Sequence, residues 1–118
     1  MARPGKRSTL ATMSPERPLG AHMSIAGGLA KAVDRAGQVE ATALQIFTRN
    51  QVRWEAPPLD QAEALAFRDA CTRSPLVFVC AHASYLINLA SPDPVTRERS
   101  VDALSEELRR ADALGCAC

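Results

Sequence analysis

The feature that most constrains this chain is a pattern that occurs three times: a short apolar run, a polar or glycine-bearing loop, and an amphipathic helical stretch. Residues 19–22 lead into a loop with Gly27 and Gly28. Then Leu29, Ala32, Val33 and Ala36 fall at i, i+3, i+4 and i+7, the stripe of a helix with one buried side. Residues 43–47 read as a second strand and residues 48–55 as a polar loop. Asp60, followed three residues later by Glu63, has the form of a capping box and opens a second helix, whose apolar face is expected to be Ala62, Leu65, Ala66 and Ala70. Residues 76–81 are nearly continuous and apolar, as in a parallel strand buried on both faces. After Pro92 and Pro94 comes a third helix, with Val101, Leu104, Leu108 and Ala111 expected on its buried side and Gly115 at its C-cap. Cys116 to Cys118 is expected to begin a fourth strand.

Strand–loop–helix units in succession imply parallel strands joined by helical crossovers, hence the α/β class. A doubly wound sheet and a (β/α)8 barrel, the TIM barrel, both satisfy that pattern. A complete barrel takes about 250 residues, so this chain has room for about three βα units of one. Stopping at the start of a strand fits an incomplete barrel better than a finished open sheet.

With 118 residues, 47% hydrophobic and only 4% aromatic, the core has to come mainly from Ala, Leu and Val. The formal net charge of +1 points to no bulk attraction for nucleic acid. Arg3, Lys6, Arg7 and Arg17 face only Glu16 in residues 1–17, which read as a flexible basic extension; residues 18–118 are the folded part. No run approaches the length of a membrane span, and the N-terminus lacks a secretory apolar stretch, so the expected location is the cytoplasm. The four cysteines are not spaced as a structural zinc site and read as buried, reduced thiols.

In parallel α/β folds the loops leaving the C-terminal ends of the strands share one face, and that face carries function. Both histidines, His22 and His82, stand at such strand ends. His82 is a candidate metal ligand, because neutral imidazole is a common zinc donor, or a rim histidine held by a hydrogen bond. His22 suits a supporting role beside a metal or a purely structural one. The stretch from Ser24 to Gly28 lacks the spacing of a phosphate-binding loop, so its glycines serve chiefly to relieve crowding. Residues 48–54 combine two arginines, two side-chain amides and Trp54. That set suits phosphate contacts and groove insertion, or else a solvated loop anchored by the indole. Tyr85 and Leu86 form an amphipathic pair able to wedge between bases or to cover a barrel rim.

At these residues the chain resembles the endonuclease IV family of apurinic/apyrimidinic endonucleases. The matching stretches are residues 20–29 (GAHMSIAGGL), 46–54 (IFTRNQVRW) and 82–89 (HASYLINL), in the family's order and at compatible spacing. The resemblance runs from about residue 19 to the end and implies the N-terminal part of a TIM barrel with three zinc ions at its C-terminal face. It implies DNA repair by hydrolysis of the phosphodiester bond 5′ to an abasic site, leaving a 3′-hydroxyl and a 5′-deoxyribose phosphate. Double-stranded DNA containing abasic sites is then the partner, and the full-length enzyme a monomer. His82 matches a zinc-ligand histidine, Tyr85 and Leu86 match residues that enter the DNA at the lesion, and Asn50, Gln51 and Asn88 match positions close to DNA. His22 matches a motif residue outside the zinc ligands. Val52 stands where an inserting arginine occurs in a relative, with Arg53 alongside as a substitute, and Ala83 stands where an Asp often follows the ligand histidine.

The same resemblance implies that the remaining His, Asp and Glu ligands lie in sequence this chain does not include. The 118 residues alone are therefore expected to fold poorly and not to cut DNA. Two other readings stay open: a metal-dependent sugar isomerase or epimerase on the same barrel, and an inactive fragment. Wedge residues favour the nuclease, since a small-sugar pocket has no use for them.

Overall fold

The computed structural model describes residues 17–118; residues 1–16, nearly all of the expected basic extension, lie outside the described residues. Three parallel strands, β1 (Gly20–His22), β2 (Ala43–Phe47) and β3 (Phe78–His82), form one sheet in sequence order. Between and after them come α1 (Leu29–Gln38), α2 (Gln61–Thr72) and α3 (Pro94–Leu114). The strands thus alternate with helices, as the three-unit pattern requires. Cys116–Cys118 is not a regular strand, but it lies along β3: Ala117 N donates to Val79 O and Ala81 N donates to Cys118 O, both at 2.8 Å.

The core sits between one face of the sheet and the helices. Leu44 and Ile46 of β2 point to that side and are fully buried, with Leu29, Ala32, Val33 and Ala36 of α1, Ala64 and Phe67 of α2, and Leu114 of α3. On the opposite face β1 is exposed throughout and β3 is at most half-buried, so the expectation of a strand covered on both faces does not hold for β3 among the described residues.

Helix α1 buries the stripe its sequence announces. The other two helices are rotated relative to expectation. In α2 the buried residues are Ala64 and Phe67, whereas Leu65 is exposed. A fully buried phenyl ring removes more apolar surface from water than a leucine, and it sets the rotation. In α3 Val101 and Leu108 are exposed, and the face turned inward carries Ser100, Ala103, Glu107, Arg110, Ala111 and Leu114. Two charged residues on the buried face of a helix are not found by counting apolar residues.

The helix ends follow local rules with one departure. Asp60 accepts from Ala62 N at 3.0 Å, Asp93 accepts from Thr96 N at 2.8 Å with Pro94 opening the helix, and Gly115 closes α3 in the left-handed conformation. The departure is Glu63, which does not close a capping box on its own helix. Its Oε1 accepts from Leu29 N at 3.0 Å, across to the start of α1. A carboxylate therefore occupies the first amide of α1, where the glycine-rich turn could otherwise have offered that N–H to an anion. The cysteines are all free. Cys71, Cys80 and Cys116 are half-buried and Cys118 is exposed, and burial pushes the Cys116 thiol up to about 11. It stays protonated at neutral pH, which makes it a poor nucleophile or metal ligand.

Two substitutions test this architecture. At Gly20 an added Cβ would stand 1.6 Å from the Ala43 carbonyl oxygen. Gly20→Ala is expected to separate β1 from β2, seen as fast hydrogen exchange at the Thr42 and Met23 amides, which bond across that pair. Unchanged protection there contradicts the register. Phe67→Ala empties the core and is expected to lower the unfolding free energy by about 3–5 kcal/mol in urea titration; a loss of less than about 1 kcal/mol contradicts its central position.

Candidate functional site

Parallel pairing sets which side chains meet at the strand ends. His22, Phe47 and His82 are the last residues of β1, β2 and β3. In the register His22 pairs with Gln45 and Phe47 with His82, so all four side chains share the face away from the helices. The rings meet edge to face. Centroids lie 4.5 Å apart for His22 and Phe47, 5.0 Å for Phe47 and His82, and 5.9 Å for the two imidazoles. Tyr85 extends the cluster, 5.2 Å from Phe47 and 6.0 Å from His82. Such T-shaped contacts set a positive ring edge against a negative face and hold the imidazoles in fixed orientations.

Each histidine already commits one nitrogen. His82 Nδ1 lies 2.6 Å from the Ala83 carbonyl oxygen, which only accepts, so the proton sits on Nδ1. His22 Nδ1 lies 3.1 Å from Gln45 Oε1, an arrangement of the same kind. In the neutral rings Nε2 then carries the free lone pair, and both residues are exposed on this face. Imidazoles that bind metals commonly use this arrangement, one nitrogen donating to an oxygen and the other facing the ion. The donor set stops there. Among the described residues there is no group of three or more His, Cys, Asp or Glu placed to hold a metal ion, whereas a catalytic zinc takes three protein ligands and a water. The described residues do not make a zinc site by themselves.

Two loops rise beside the rings. Residues 48–60 join β2 to α2 and carry Asn50, Gln51, Arg53 and Trp54; residues 83–93 join β3 to α3 and carry Tyr85, Leu86 and Asn88. They are joined directly, with Tyr85 N donating to Gln51 O at 3.0 Å. Asn50 and Asn88 each shape their own loop, with side-chain oxygens accepting from Val52 N and Ala90 N. Asn50, Arg53, Tyr85 and Asn88 are exposed, and Gln51 and Leu86 are half-buried. All six residues singled out from the sequence for DNA contact therefore lie on these two adjoining loops. Val52 is exposed next to Arg53. Trp54 is an anchor, with the Arg99 guanidinium 4.6 Å above its ring.

The two arginines of the first loop have different fates. Arg49, read from the sequence as one of two guanidinium groups suited to phosphate, is buried, with its Nε 3.2 Å from Glu107 Oε1. One of its terminal nitrogens donates to the Arg53 and Trp54 carbonyls at 2.6 and 2.8 Å. Glu107 also accepts from Ser84 N, at 3.0 Å through Oε2. Arg110 donates to the Thr48 carbonyl at 3.3 Å and to the Pro57 carbonyl at 2.9 Å. Burial pulls the Arg110 guanidinium below its ordinary value, Arg49 pulls the same way, and Glu106 and Glu107 oppose them. Sequence reasoning missed Glu107, Arg110, Ser84 and Ser100, whose Oγ accepts from Asn88 N at 2.9 Å. The available signal was the apolar stripe through Ala103, Ala111 and Leu114, which passes through Ser100, Glu107 and Arg110 at helical spacing.

Residues 31–118 match the family model described as a xylose isomerase-like TIM barrel. A probable endonuclease 4 of Oleidesulfovibrio alaskensis is 54% identical over 97 residues, covering 82% of this chain and 33% of that protein. A probable endonuclease 4 of Thermoplasma acidophilum is 41% identical over 104 residues, covering 88% of this chain and 37% of its own length. The crystal structure of endonuclease IV from Thermus thermophilus superposes with a TM-score of 0.79 at 38% identity, over 85% of this chain and 38% of that one. The chain thus spans about a third of the length of the curated relatives it matches. These matches decide between the two α/β architectures in favour of the barrel, of which the three βα units are a part. The chain belongs to the xylose isomerase-like TIM barrel family, where its relatives are endonuclease 4 proteins.

Proposed function

We propose that this chain forms the lesion-facing strand ends and loops of an endonuclease IV-type DNA-repair enzyme, which hydrolyses the phosphodiester bond 5′ to an abasic site. The observation that carries the reading is the Tyr85–Gln51 backbone bond, which sets the loop bearing Asn50, Gln51 and Arg53 beside Tyr85 and Leu86, next to His82. Tyr85, exposed at the edge of the ring cluster, and Leu86 enter the duplex where a base is missing, because unstacking costs least there. Arg53 and the amides of Asn50, Gln51 and Asn88 contact the backbone and fix the register. His82 is one ligand of a zinc centre through Nε2, and His22 keeps the ring cluster in place beside it. Zinc ions in such a centre supply a hydroxide near neutral pH. The described residues bring no group of three or more such ligands together, so the part assigned to this chain, beyond His82, is recognition. An exposed tyrosine beside an open loop pair also suits a duplex better than the closed pocket of a sugar isomerase. Among the described residues no helix is long and apolar enough to cross a membrane. A cytoplasmic monomer acting on double-stranded DNA completes the proposal.

The described residues bury a contiguous core, so, against the expectation of poor folding, the 118-residue chain is expected to fold and to bind a duplex containing an abasic-site analogue more tightly than the intact duplex, measured by fluorescence anisotropy. Tyr85→Ala is expected to remove roughly tenfold or more of that preference, the scale of one lost stacking contact. Equal affinity of the unsubstituted chain for both duplexes overturns the reading. With zinc added, binding is expected without incision. Efficient incision that disappears in His82→Ala would show instead that the described residues complete a catalytic centre.

A further inference from the structure

We propose that Glu107 and Arg49, with Arg110 beside them, are positioning residues for lesion recognition: a buried ionic brace between α3 and the β2–α2 loop that holds both recognition loops in one relative arrangement. The inference rests on the reading of these loops as the DNA-contacting elements, and it concerns residues that do not reach the duplex themselves.

Glu107 and Arg110 stand one turn apart on the inward face of α3, and their side chains reach different loops. Glu107 holds the Ser84 amide, one residue before Tyr85. It also faces Arg49, whose guanidinium holds the Arg53 and Trp54 carbonyls on the far side of Gln51. Arg110 ties the loop at Thr48 and at Pro57, close to its two ends. The Tyr85–Gln51 bond closes the circuit on the outer side. Each loop is therefore gripped from beneath by α3 and bonded to its neighbour above.

Packing alone does not call for this chemistry. The same face of α3 carries Ala103, Ala111 and Leu114, and apolar residues of similar volume at 49 and 107 would fill the space without burying charge. Removing two ions from water is costly, and a hydrophobic pair often proves at least as stable. What an apolar pair cannot do is accept from a loop amide or donate to loop carbonyls. The polar choice thus bears on loop geometry more than on helix docking. The side chains of Arg49 and Glu107 are only 4% and 6% exposed, so neither is free to contact a phosphate.

The decisive variant replaces the pair together, Arg49→Met with Glu107→Met, in the 118-residue chain. Three quantities are measured: the urea unfolding midpoint, hydrogen exchange at the Ser84 and Tyr85 amides, and the affinity ratio for abasic over intact duplex. The midpoint is expected to fall modestly, because Ser84 N and the Arg53 and Trp54 carbonyls lose their partners, with the chain still folded. Exchange at Ser84 and Tyr85 is expected to rise by roughly tenfold, the factor that one net hydrogen bond represents, and the affinity ratio to fall by a similar factor. Retained protection and an unchanged ratio in the folded double variant overturn the proposal. Glu107→Gln keeps the shape and an acceptor for Ser84 but deletes the charge facing Arg49. It is expected to lower the ratio on its own, and an unchanged ratio in that variant overturns the proposal equally. If the unsubstituted chain shows no preference for abasic DNA, the DNA reading fails, and the Ser84 and Tyr85 exchange rates still decide whether the brace exists.

Discussion

Leu44 and Ile46 are buried against the helices only because Gln45 and Phe47 point the other way. That two-residue alternation on the central strand governs the rest. It places one face of the sheet on α1 and α2 and turns the other toward the rings of His22, Phe47 and His82. A shift of the pairing by one residue would exchange the two faces, burying the amide of Gln45 and exposing the isoleucine. Gly20 guards the register from β1, since its backbone lies too close to Ala43 for any side chain. Stability and site geometry therefore share one constraint, and the strand ends meet as a consequence of how the core packs.

Above the strand ends the organisation changes from apolar to ionic. The core beneath β2 is aliphatic apart from Phe67, whereas the contact between α3 and the two loops is largely polar, with Arg49, Glu107 and Arg110 buried in it. Loops ordinarily move more than the elements they connect. Here buried charge-assisted bonds tie them to a helix of 21 residues. If these loops meet a gap in a stacked duplex, as proposed, such preorganisation favours binding, because loops already in place need no ordering when the partner arrives.

Much of this was legible in the sequence where a single period or a local cap decides the outcome. The α1 stripe, the bounds of β2, the caps at Asp60 and Gly115, and the two strand-end histidines all follow from spacing and side-chain chemistry. The expected strand at residues 76–81 starts two residues later and ends one later, at Phe78–His82, because its pairing with Ala43–Phe47 sets the ends. The faces of α2 and α3 were not legible. Leu65 lost to Phe67, and a charged stripe that looks solvated is in fact the docking face of α3. Glu63 satisfies another helix, and Arg49 serves the loop's own backbone. In each case the partner is more than thirty residues away or lies in an irregular segment, and no local pattern encodes it. The three loop motifs, by contrast, were conspicuous, because the polar and aromatic residues that leave the strand ends are confined to short contiguous runs.

The most direct test of the account is a titration of the isotopically labelled 118-residue chain with an abasic duplex, followed by amide and imidazole NMR shifts. The account requires the changes to gather at Gln51, Arg53, Tyr85, Leu86 and Asn88 and at the rings of His22 and His82, with Lys31 of α1 and Arg68 of α2 undisturbed. Shifts centred on the helix layer, or spread evenly over the surface, would show that DNA is not met at the strand ends and would contradict it.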